Sequence, residues 1–353
     1  MSNFWLKLNK PILALAPMAD ITDSAFRQIC KKYGADVTYS EMASVSALFY
    51  SPRGVRRYAA NGKAVTPQGK PQKTLELVKF DKKERPYVIQ LFGKDPEHFA
   101  ASARIISGAD SPLSSGLSAR PDGIDINFGC PAKKVFGHGS GCALMPQKKL
   151  AREIISAVCE NTDLPVSLKI RSGIKDMSAL EFIENTRDLP YSAVMVHART
   201  YEGGFSGPVD FSVCEKIKKI IPNRIILANG GISTPSDAAK ILRGYPLLDG
   251  LGIARGAWGR PFIFDEIKSS LSSSPVIRTG DSADTTIYNF DKTKEIMLEH
   301  AELIYENKGK LGLFEIRKHM AWYVKGFPGA SELRRKLVTA NSLKEIAVAL
   351  KEM

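Results

Sequence analysis

Short apolar segments rich in β-branched residues recur along the chain up to Ile253 and alternate with stretches of helical pattern. The eight segments are Ile12 to Ala16, Val37 to Ser40, Tyr87 to Phe92, Gly123 to Asn127, Val166 to Arg171, Ala193 to Ala198, Arg224 to Ala228 and Leu248 to Ile253. Parallel strands need a crossover between them, and that crossover is usually a helix. Eight such units in about 250 residues therefore predict a closed (β/α)8 barrel.

The rest of the chain has a different pattern. Residues 269–284 are rich in Ser, Thr, Gly and Asp, which is typical of a linker. Helical patterns follow at Thr293 to Tyr305 and in segments beginning near Leu313, Ser331 and Ser342. We therefore expect a TIM-barrel domain at 1–268, a linker at 269–284 and a smaller all-helical domain at 285–353.

Each predicted strand ends in residues that suit a buried core poorly. They are Pro17 with Met18, Ser40 with Glu41, Gln90, Asn127 with Cys130, Lys169 with Arg171, His197 with Arg199, Asn229 with Gly230, and Arg255 with Gly256. In a barrel these ends converge on the face that carries the active site. Gln90 could instead cap a helix, and His197 could be a hydrogen-bonded core histidine. Convergence of all eight strand ends on one rim favours a functional site.

The run Asn127-Phe-Gly-Cys-Pro131 follows the fourth apolar segment. Gly and Pro fix a turn there, and a cysteine on such a turn can present one thiol to a pocket as a proton donor. The alternative is a half-buried structural cysteine, because free cysteines are often buried. Its reactivity depends on the pKa of the thiol.

Two glycine-rich loops follow the last two predicted strands, at Ala228 to Ser233 and at Gly252 to Ala257. Loops after strands seven and eight of a barrel often bind phosphate, with backbone N–H groups at a helix start holding the anion. Arg255 would add positive charge. The alternative is that these glycines serve tight turns alone.

Several motifs together resemble the tRNA-dihydrouridine synthases, most closely their bacterial B-type branch. In order along the chain, the motifs are Ala16 to Asp23, Gln90 to Gly93, Asp125 to Lys134, Leu168 to Arg171, Val196 to Thr200, Ala228 to Gly231, and Arg317 to Tyr323 with Arg334 and Arg335. Three positions depart from the family pattern: Gly137 with His138 stand where basic residues are frequent, Gly231 where Asp is frequent, and Ala254 where Gly is frequent.

The resemblance implies an FMN-dependent enzyme that is reduced by NADPH and reduces uridine in tRNA, with Cys130 as the proton donor. It implies that FMN is bound by Pro17, Met18, Ala19, Gln90, Lys169, His197, Asn229, Gly230, Gly231, Ala254 and Arg255. Asn127 and Arg171 are expected at the uracil. The resemblance extends to the tRNA-binding C-terminal residues Arg317, Lys318, Arg334 and Arg335.

The charge balance fits a polyanionic partner. The chain has 50 Lys and Arg against 37 Asp and Glu, a net charge of +13. The excess concentrates at 51–85 and at 317–336, although each cluster could be only a solvated surface. If 313–325 is helical, Lys318, Trp322 and Lys325 share one face, where Trp322 could stack on a base or belong to the core.

Five cysteines, an odd number without metal-ligand spacing, are typical of a reduced protein, so we expect a cytoplasmic, metal-free enzyme. No run approaches 18 apolar residues, so we expect no membrane segment. We also expect a monomer. Two other functions are consistent with parts of the pattern. One is a flavin barrel acting on a small molecule, of the dihydroorotate dehydrogenase type. The other is an RNA-binding protein without catalytic activity.

Overall fold

The computed structural model describes residues 3–50, 73–108, 119–272 and 288–352. Residues 51–72, which hold half of the basic residues of the first basic cluster, lie outside these ranges. So do residues 273–284, the larger part of the predicted linker.

Eight parallel strands form a closed barrel. They are β1 (Ile12–Leu15), β2 (Val37–Tyr39), β3 (Tyr87–Phe92), β4 (Gly123–Phe128), β5 (Val166–Ile174), β6 (Ala193–Thr200), β7 (Ile225–Asn229) and β8 (Gly250–Ile253). Each pairs with the next in chain order, and β1 also pairs with β8, which closes the ring. The predicted barrel is confirmed. Strand β5 runs three residues beyond its predicted end because Gly173 and Ile174 pair with the short antiparallel strand Met177–Ser178.

Helices cover the outside of the barrel between the strands. They are α1 (Ser24–Lys32), α2 (Val45–Phe49), α3 (Lys73–Val78), α4 (Pro96–Ser107), α5 (Lys133–Gly137), α6 (Lys148–Cys159), α7 (Ala179–Thr186), α8 (Ser212–Ile220), α9 (Pro235–Gly244) and α10 (Ile263–Ser272). Helices α1, α2, α4, α7 and α9 begin after a residue whose side chain accepts from a backbone N–H of the first turn, and in α9 Thr234 and Asp237 form a capping box around Pro235. None of the helices in the described ranges could cross a membrane by length and apolarity.

The barrel interior is apolar at the amino ends of the strands. Trp5 is 1% exposed and belongs to the same apolar cluster as Ile12, Val37 and Met195. Buried polar side chains occur further along the strands, toward their carboxyl ends. The strand ends that carry functional side chains therefore surround the opposite, open mouth of the barrel.

Four further helices form the C-terminal unit: α11 (Phe290–Lys308), α12 (Lys310–Tyr323), α13 (Ala330–Thr339) and α14 (Leu343–Lys351). Their apolar cluster includes Ala25 and Ile29 of α1, so this unit packs on the barrel. The predicted helices are confirmed. Helix α10 ends at Ser272, and the first four residues of the predicted linker are therefore helical.

Candidate active site

The turn after β4 is held by the side chain of Asn127. Its Oδ1 accepts hydrogen bonds from the backbone N–H of Gly129 at 3.0 Å and of Cys130 at 2.9 Å. Gly141 comes so close to this turn, with φ at +63°, that a Cβ there would lie 2.9 Å from the Cys130 carbonyl oxygen. The turn is therefore held by the hydrogen bonds of Asn127 and by the close packing of the Gly141 backbone.

Cys130 is half-buried on this turn. Burial raises the pKa of its thiol, while a hydrogen bond from the Ala132 backbone and the charges of Lys169 and Arg171 act in the opposite direction. Burial is the largest effect, so the thiol keeps its proton at neutral pH. A protonated thiol is the form that a proton donor requires.

The register of three strands places polar residues side by side below this turn. Asp125 of β4 lies between Gln90 of β3 and Ser167 of β5. Two residues further along, Asn127 lies opposite Lys169. Because alternate residues of a strand share a face, all these side chains share the interior face of the barrel.

Lys169 is a half-buried cation in the mouth of the barrel. Burial lowers its pKa to about 8, although the nearby carboxylate of Asp125 favours the charged form. Among the residues that the structure describes, none accepts a hydrogen bond from Lys169. Its ammonium group is therefore available to a ligand.

Arg171 has contacts that brace the site. Its Nε donates to the Gly129 carbonyl at 3.1 Å, and its Nη1 donates to the carbonyls of Thr200 at 2.7 Å and Gly204 at 2.9 Å. The side chain is 1% exposed. These bonds tie the cysteine turn to the loop after β6, whereas the predicted contact of Arg171 with uracil stays a prediction.

Strands β6 and β7 end in a glycine cradle. Gly230 and Gly231 have φ of +109° and +69°. A Cβ on Gly230 would lie 2.7 Å from Cδ2 of His197, so only glycine fits there. Asn229 donates from Nδ2 to the Gly252 carbonyl at 2.6 Å and joins β7 to β8.

His197 lies beside this cradle and is neutral. Burial lowers its pKa well below the ordinary value, and the cations Lys169 and Arg171 lower it further. A histidine in this environment takes part in hydrogen bonding or packing rather than acting as an acid.

Arg199 is a site residue that the sequence analysis placed on the rim and did not assign to the cofactor. It is 8% exposed, its Nε donates to the Gly207 carbonyl at 2.6 Å, and its Nη1 is buried without a hydrogen-bond partner. That Nη1 atom lies 3.3 Å from where a Cβ of Gly230 would be. The spacing in His197-Ala-Arg199 could have indicated it, because residues two apart on a strand share a face.

Arg255 completes a group of cations around the cradle. Its Nη2 donates to the Phe205 carbonyl at 2.8 Å, and the guanidinium lies over the Phe205 ring. Within the described ranges, neither Arg199 nor Arg255 forms an ion pair with a carboxylate. The buried Arg199 guanidinium, with its unpartnered Nη1 beside two glycines, fits an anionic group such as a phosphate.

The loop after β1 forms another side of the mouth. Pro17 and Met18 are half-buried and Ala19 is exposed. The Met18 sulfur accepts from the indole N–H of Trp258 at 3.2 Å, which joins this loop to the region after β8. Ala254, the last predicted cofactor residue, precedes the single helical turn Arg255–Ala257. The mouth therefore brings together all the cofactor positions predicted from sequence.

The four predicted C-terminal binding residues belong to the helical unit, and of these Lys318 reaches the loop after β1. Arg317 donates to the Ala340 carbonyl and to Asn341, and Lys318 donates to the Asp20 carbonyl beside the mouth. Arg334 and Arg335 are exposed on α13. Two of the four predicted residues thus form hydrogen bonds within the protein, and the other two face solvent.

Trp322 is half-buried and packs against the barrel from the C-terminal unit. It stacks on Trp258 with ring centroids 4.4 Å apart and planes at 11°. The expected arrangement of α12 is confirmed, with Ile316, Met320 and Tyr323 buried on the opposite face. The stack supports the structural interpretation of Trp322 over base stacking.

The chain is similar to proteins of one family along nearly its whole length. The family model described as "Dihydrouridine synthase (Dus)" matches residues 14–352. A probable tRNA-dihydrouridine synthase of Mycobacterium tuberculosis is 32% identical over 97% of this chain and 81% of its own length. A tRNA-dihydrouridine synthase B of Pseudomonas aeruginosa is 33% identical over 91% of this chain and 86% of its own.

Solved structures share the fold at low identity. A 2-naphthoyl-CoA reductase complex has a TM-score of 0.50 at 11% identity and covers 73% of this chain and 50% of its own. Histamine dehydrogenase from Rhizobium sp. 4-9 also has a TM-score of 0.50, at 12% identity, over 88% of this chain and 48% of its own. At such identities the similarity concerns the barrel fold alone. No group of three metal-ligating side chains occurs in the described part of the chain.

Proposed function

Because the chain belongs to the dihydrouridine synthase family, we propose that it reduces uridine in tRNA to 5,6-dihydrouridine, with bound FMN, NADPH as reductant and Cys130 as the proton donor. One observation carries this proposal. A protonated thiol on a fixed turn and a group of uncompensated cations lie around the same barrel mouth.

The residues of the mouth fit FMN by their charge and shape. Gly230, Gly231, Arg199 and Arg255 would hold the phosphate, since the unpartnered Nη1 of Arg199 lies beside the side-chain-free backbone of the two glycines. Lys169 would stabilise negative charge on the pyrimidine side of the reduced flavin. The remaining predicted contacts are Pro17, Met18, Ala19, Gln90, His197, Asn229 and Ala254.

FMN, when bound, supplies the hydride that is added to C6 of the uracil. The chain's own part is to place the base and to deliver a proton to C5, where negative charge develops. Cys130 gives that proton because burial keeps its thiol protonated. A positioned acid typically contributes about 10² to 10⁴ in rate. Asn127 and Arg171 keep the thiol in place, and they are the expected neighbours of the uracil.

A uridine within folded tRNA must leave its stack to reach this mouth, which costs a few kcal/mol. The net charge of +13 favours binding of the tRNA backbone and helps to offset that cost. Arg334 and Arg335 are exposed on α13 and free of the structural bonds that Arg317 and Lys318 make. These two arginines are therefore the C-terminal residues proposed to contact phosphate.

The test begins with the absorbance spectrum of the purified protein, which should be that of a flavoprotein. Reduction with NADPH under anaerobic conditions, followed by tRNA that lacks dihydrouridine, should reoxidise the flavin and yield dihydrouridine detected by mass spectrometry. A flavoprotein that tRNA does not reoxidise would favour the small-molecule alternative. A protein without flavin that binds tRNA would favour the non-catalytic alternative.

A further inference from the structure

A continuous row of hydrogen bonds connects a buried carboxylate with the cysteine turn. Ser167 Oγ donates to Asp125 Oδ1 at 2.6 Å, and Gln90 Nε2 donates to Asp125 Oδ2 at 2.7 Å. Asn127 Nδ2 donates to Gln90 Oε1 at 2.9 Å. The other end of the Asn127 amide holds the N–H groups of Gly129 and Cys130. Asp125 is therefore two side chains away from the proposed acid.

The direction of each bond in this row is set by its two ends. The N–H groups at the turn can only donate, so Asn127 must direct its oxygen toward them and its amide nitrogen toward Gln90. Gln90 must then accept with Oε1, which directs its Nε2 toward residue 125. Only an acceptor at that position completes the row, and a carboxylate is the strongest acceptor among side chains.

The surroundings of Asp125 allow the carboxylate to serve as that acceptor. The side chain is fully buried, and burial raises its pKa to about 7. Lys169 is the nearby cation that favours the ionised form, and the hydroxyl of Tyr39 is the other titratable group that interacts with Asp125. Each carboxylate oxygen has one donor, from Ser167 or from Gln90. A buried polar group with complete bonding is rigid.

We propose that Asp125 is a positioning residue: its carboxylate fixes the amide of Gln90, which fixes Asn127, which holds the turn that presents Cys130. The inference rests on the proposed function only for the role of Cys130 as proton donor. The row of hydrogen bonds does not depend on that function. Asp125 touches neither of the reacting partners. Its role is to keep the thiol in one place while Gln90 also borders the flavin site.

A pair of variants tests the row through its pH dependence. In Gln90→Glu, two carboxylates replace the 2.7 Å bond between residues 90 and 125. Two buried carboxylates so close ionise together only at high pH, so at lower pH one of them keeps a proton that takes the place of the lost N–H. Its pKa is raised. The bond is therefore present at low pH and lost as the pH rises past that pKa.

The matched variant is the double substitution Asp125→Asn with Gln90→Glu. The introduced amide donates to the introduced carboxylate and still accepts from Ser167, so this variant contains no pair of carboxylates that must share a proton. The readout is the rate at which iodoacetamide alkylates Cys130, followed by mass spectrometry of its peptide and divided by the parental rate at each pH. This ratio needs neither tRNA nor turnover, and division by the parental rate removes the ordinary titration of the thiol.

We expect the ratio for Gln90→Glu to change by about fivefold or more between about pH 6 and about pH 9, and the ratio for the double variant to change less than about twofold. Equal profiles for the two variants, or a flat profile for Gln90→Glu, would overturn the proposal. A parental flavin that tRNA fails to reoxidise would instead reject the proposed function and leave this result unaffected.

A second comparison applies if the carboxylate pair prevents folding. Asp125→Asn can still accept from Gln90, with its amide turned toward Ser167, whereas Asp125→Leu has a similar size and no acceptor. Alkylation of Cys130 should stay within about twofold of the parent in Asp125→Asn and depart by about fivefold or more in Asp125→Leu. The same alkylation rate in both variants would show that no acceptor is needed.

Discussion

Arg199 gives the most specific prediction about the cofactor. In the protein without FMN, its bonded Nε stabilises the fold, whereas its buried, unpartnered Nη1 destabilises it. In Arg199→Met, the hydrogen bond from Nε to the Gly207 carbonyl is lost, at a cost of about 1.5 to 3 kcal/mol. The buried Nη1, which has no partner, is also removed, and this returns about 1 to 3 kcal/mol. Repulsion from Arg255 is relieved as well. The free energy of unfolding of the FMN-free protein should therefore change by less than about 1 kcal/mol.

The affinity for FMN should respond differently. A charge-assisted bond to the phosphate contributes about 1.5 to 3 kcal/mol, so Arg199→Met should raise the Kd for FMN by about 10- to 150-fold. Chemical denaturation of the FMN-free protein and titration with FMN by fluorescence quenching measure the two quantities. Arg187→Met is the matched control, since Arg187 is exposed and pairs with Glu184 far from the mouth. A loss of stability without FMN that is as large as the loss of FMN binding would refute the phosphate role.

Three further predictions concern the cradle, the tRNA surface and the contact between the two units. Gly230→Ala should cost about 1 to 3 kcal/mol of stability and weaken FMN retention, because the new methyl group meets His197; unchanged flavin occupancy would contradict this. Affinity for tRNA should fall by about 0.9 log unit per log unit of salt for each duplex phosphate neutralised, and Arg334→Glu with Arg335→Glu should flatten the slope; an unchanged slope would place the contact elsewhere. Burial lowers the pKa of His300 to about 4 in the folded protein, so below about pH 6.5 the unfolded state binds more protons than the folded state does. Stability should fall by up to about 3 kcal/mol between pH 6.5 and pH 4, and less so in His300→Phe, as denaturation curves would show.

The barrel was predictable because its strands are buried on both faces and therefore appear as short apolar runs with turns between them. The extension of β5 was not, because it depends on a local pairing of Gly173 and Ile174 with the short strand that follows. The helical continuation to Ser272 was also missed. Serine is a weak helix former, and the burial of Ile263 and Ile267 on one face of α10 outweighs that preference.

The site was predictable as far as it follows from strand ends. Pro17, Gln90, Lys169 and Asn229 face one mouth because the carboxyl ends of parallel strands meet there. The roles of side chains that act on one another were not predictable. The row from Asp125 to the cysteine turn depends on strand register, and the bond from Lys318 to the Asp20 carbonyl joins residues 298 apart in sequence.

The contacts of individual side chains in the site also show what the sequence could not predict. The sequence predicted Arg171 and Asn127 as neighbours of the uracil, and the structure shows that both bond to the turn that carries Cys130. A guanidinium or an amide at a strand end can serve a ligand or a loop, and only the three-dimensional contacts distinguish the two. The spacing of Arg199 from His197 placed it on the correct face without indicating its free Nη1.

The central claim is that Cys130 delivers the proton, and Cys130→Ala tests it most directly. The variant is reduced anaerobically with NADPH and then mixed with tRNA that lacks dihydrouridine, while flavin absorbance is followed in a stopped-flow instrument. We predict parental FMN content and a parental rate of reduction, with reoxidation by tRNA slowed by about 10² to 10⁴. Cys142→Ala, which changes a fully buried cysteine of the same region, is the control and should reoxidise within a few-fold of the parent. Reoxidation of the Cys130→Ala flavin by tRNA at the parental rate, with dihydrouridine formed, would contradict the account.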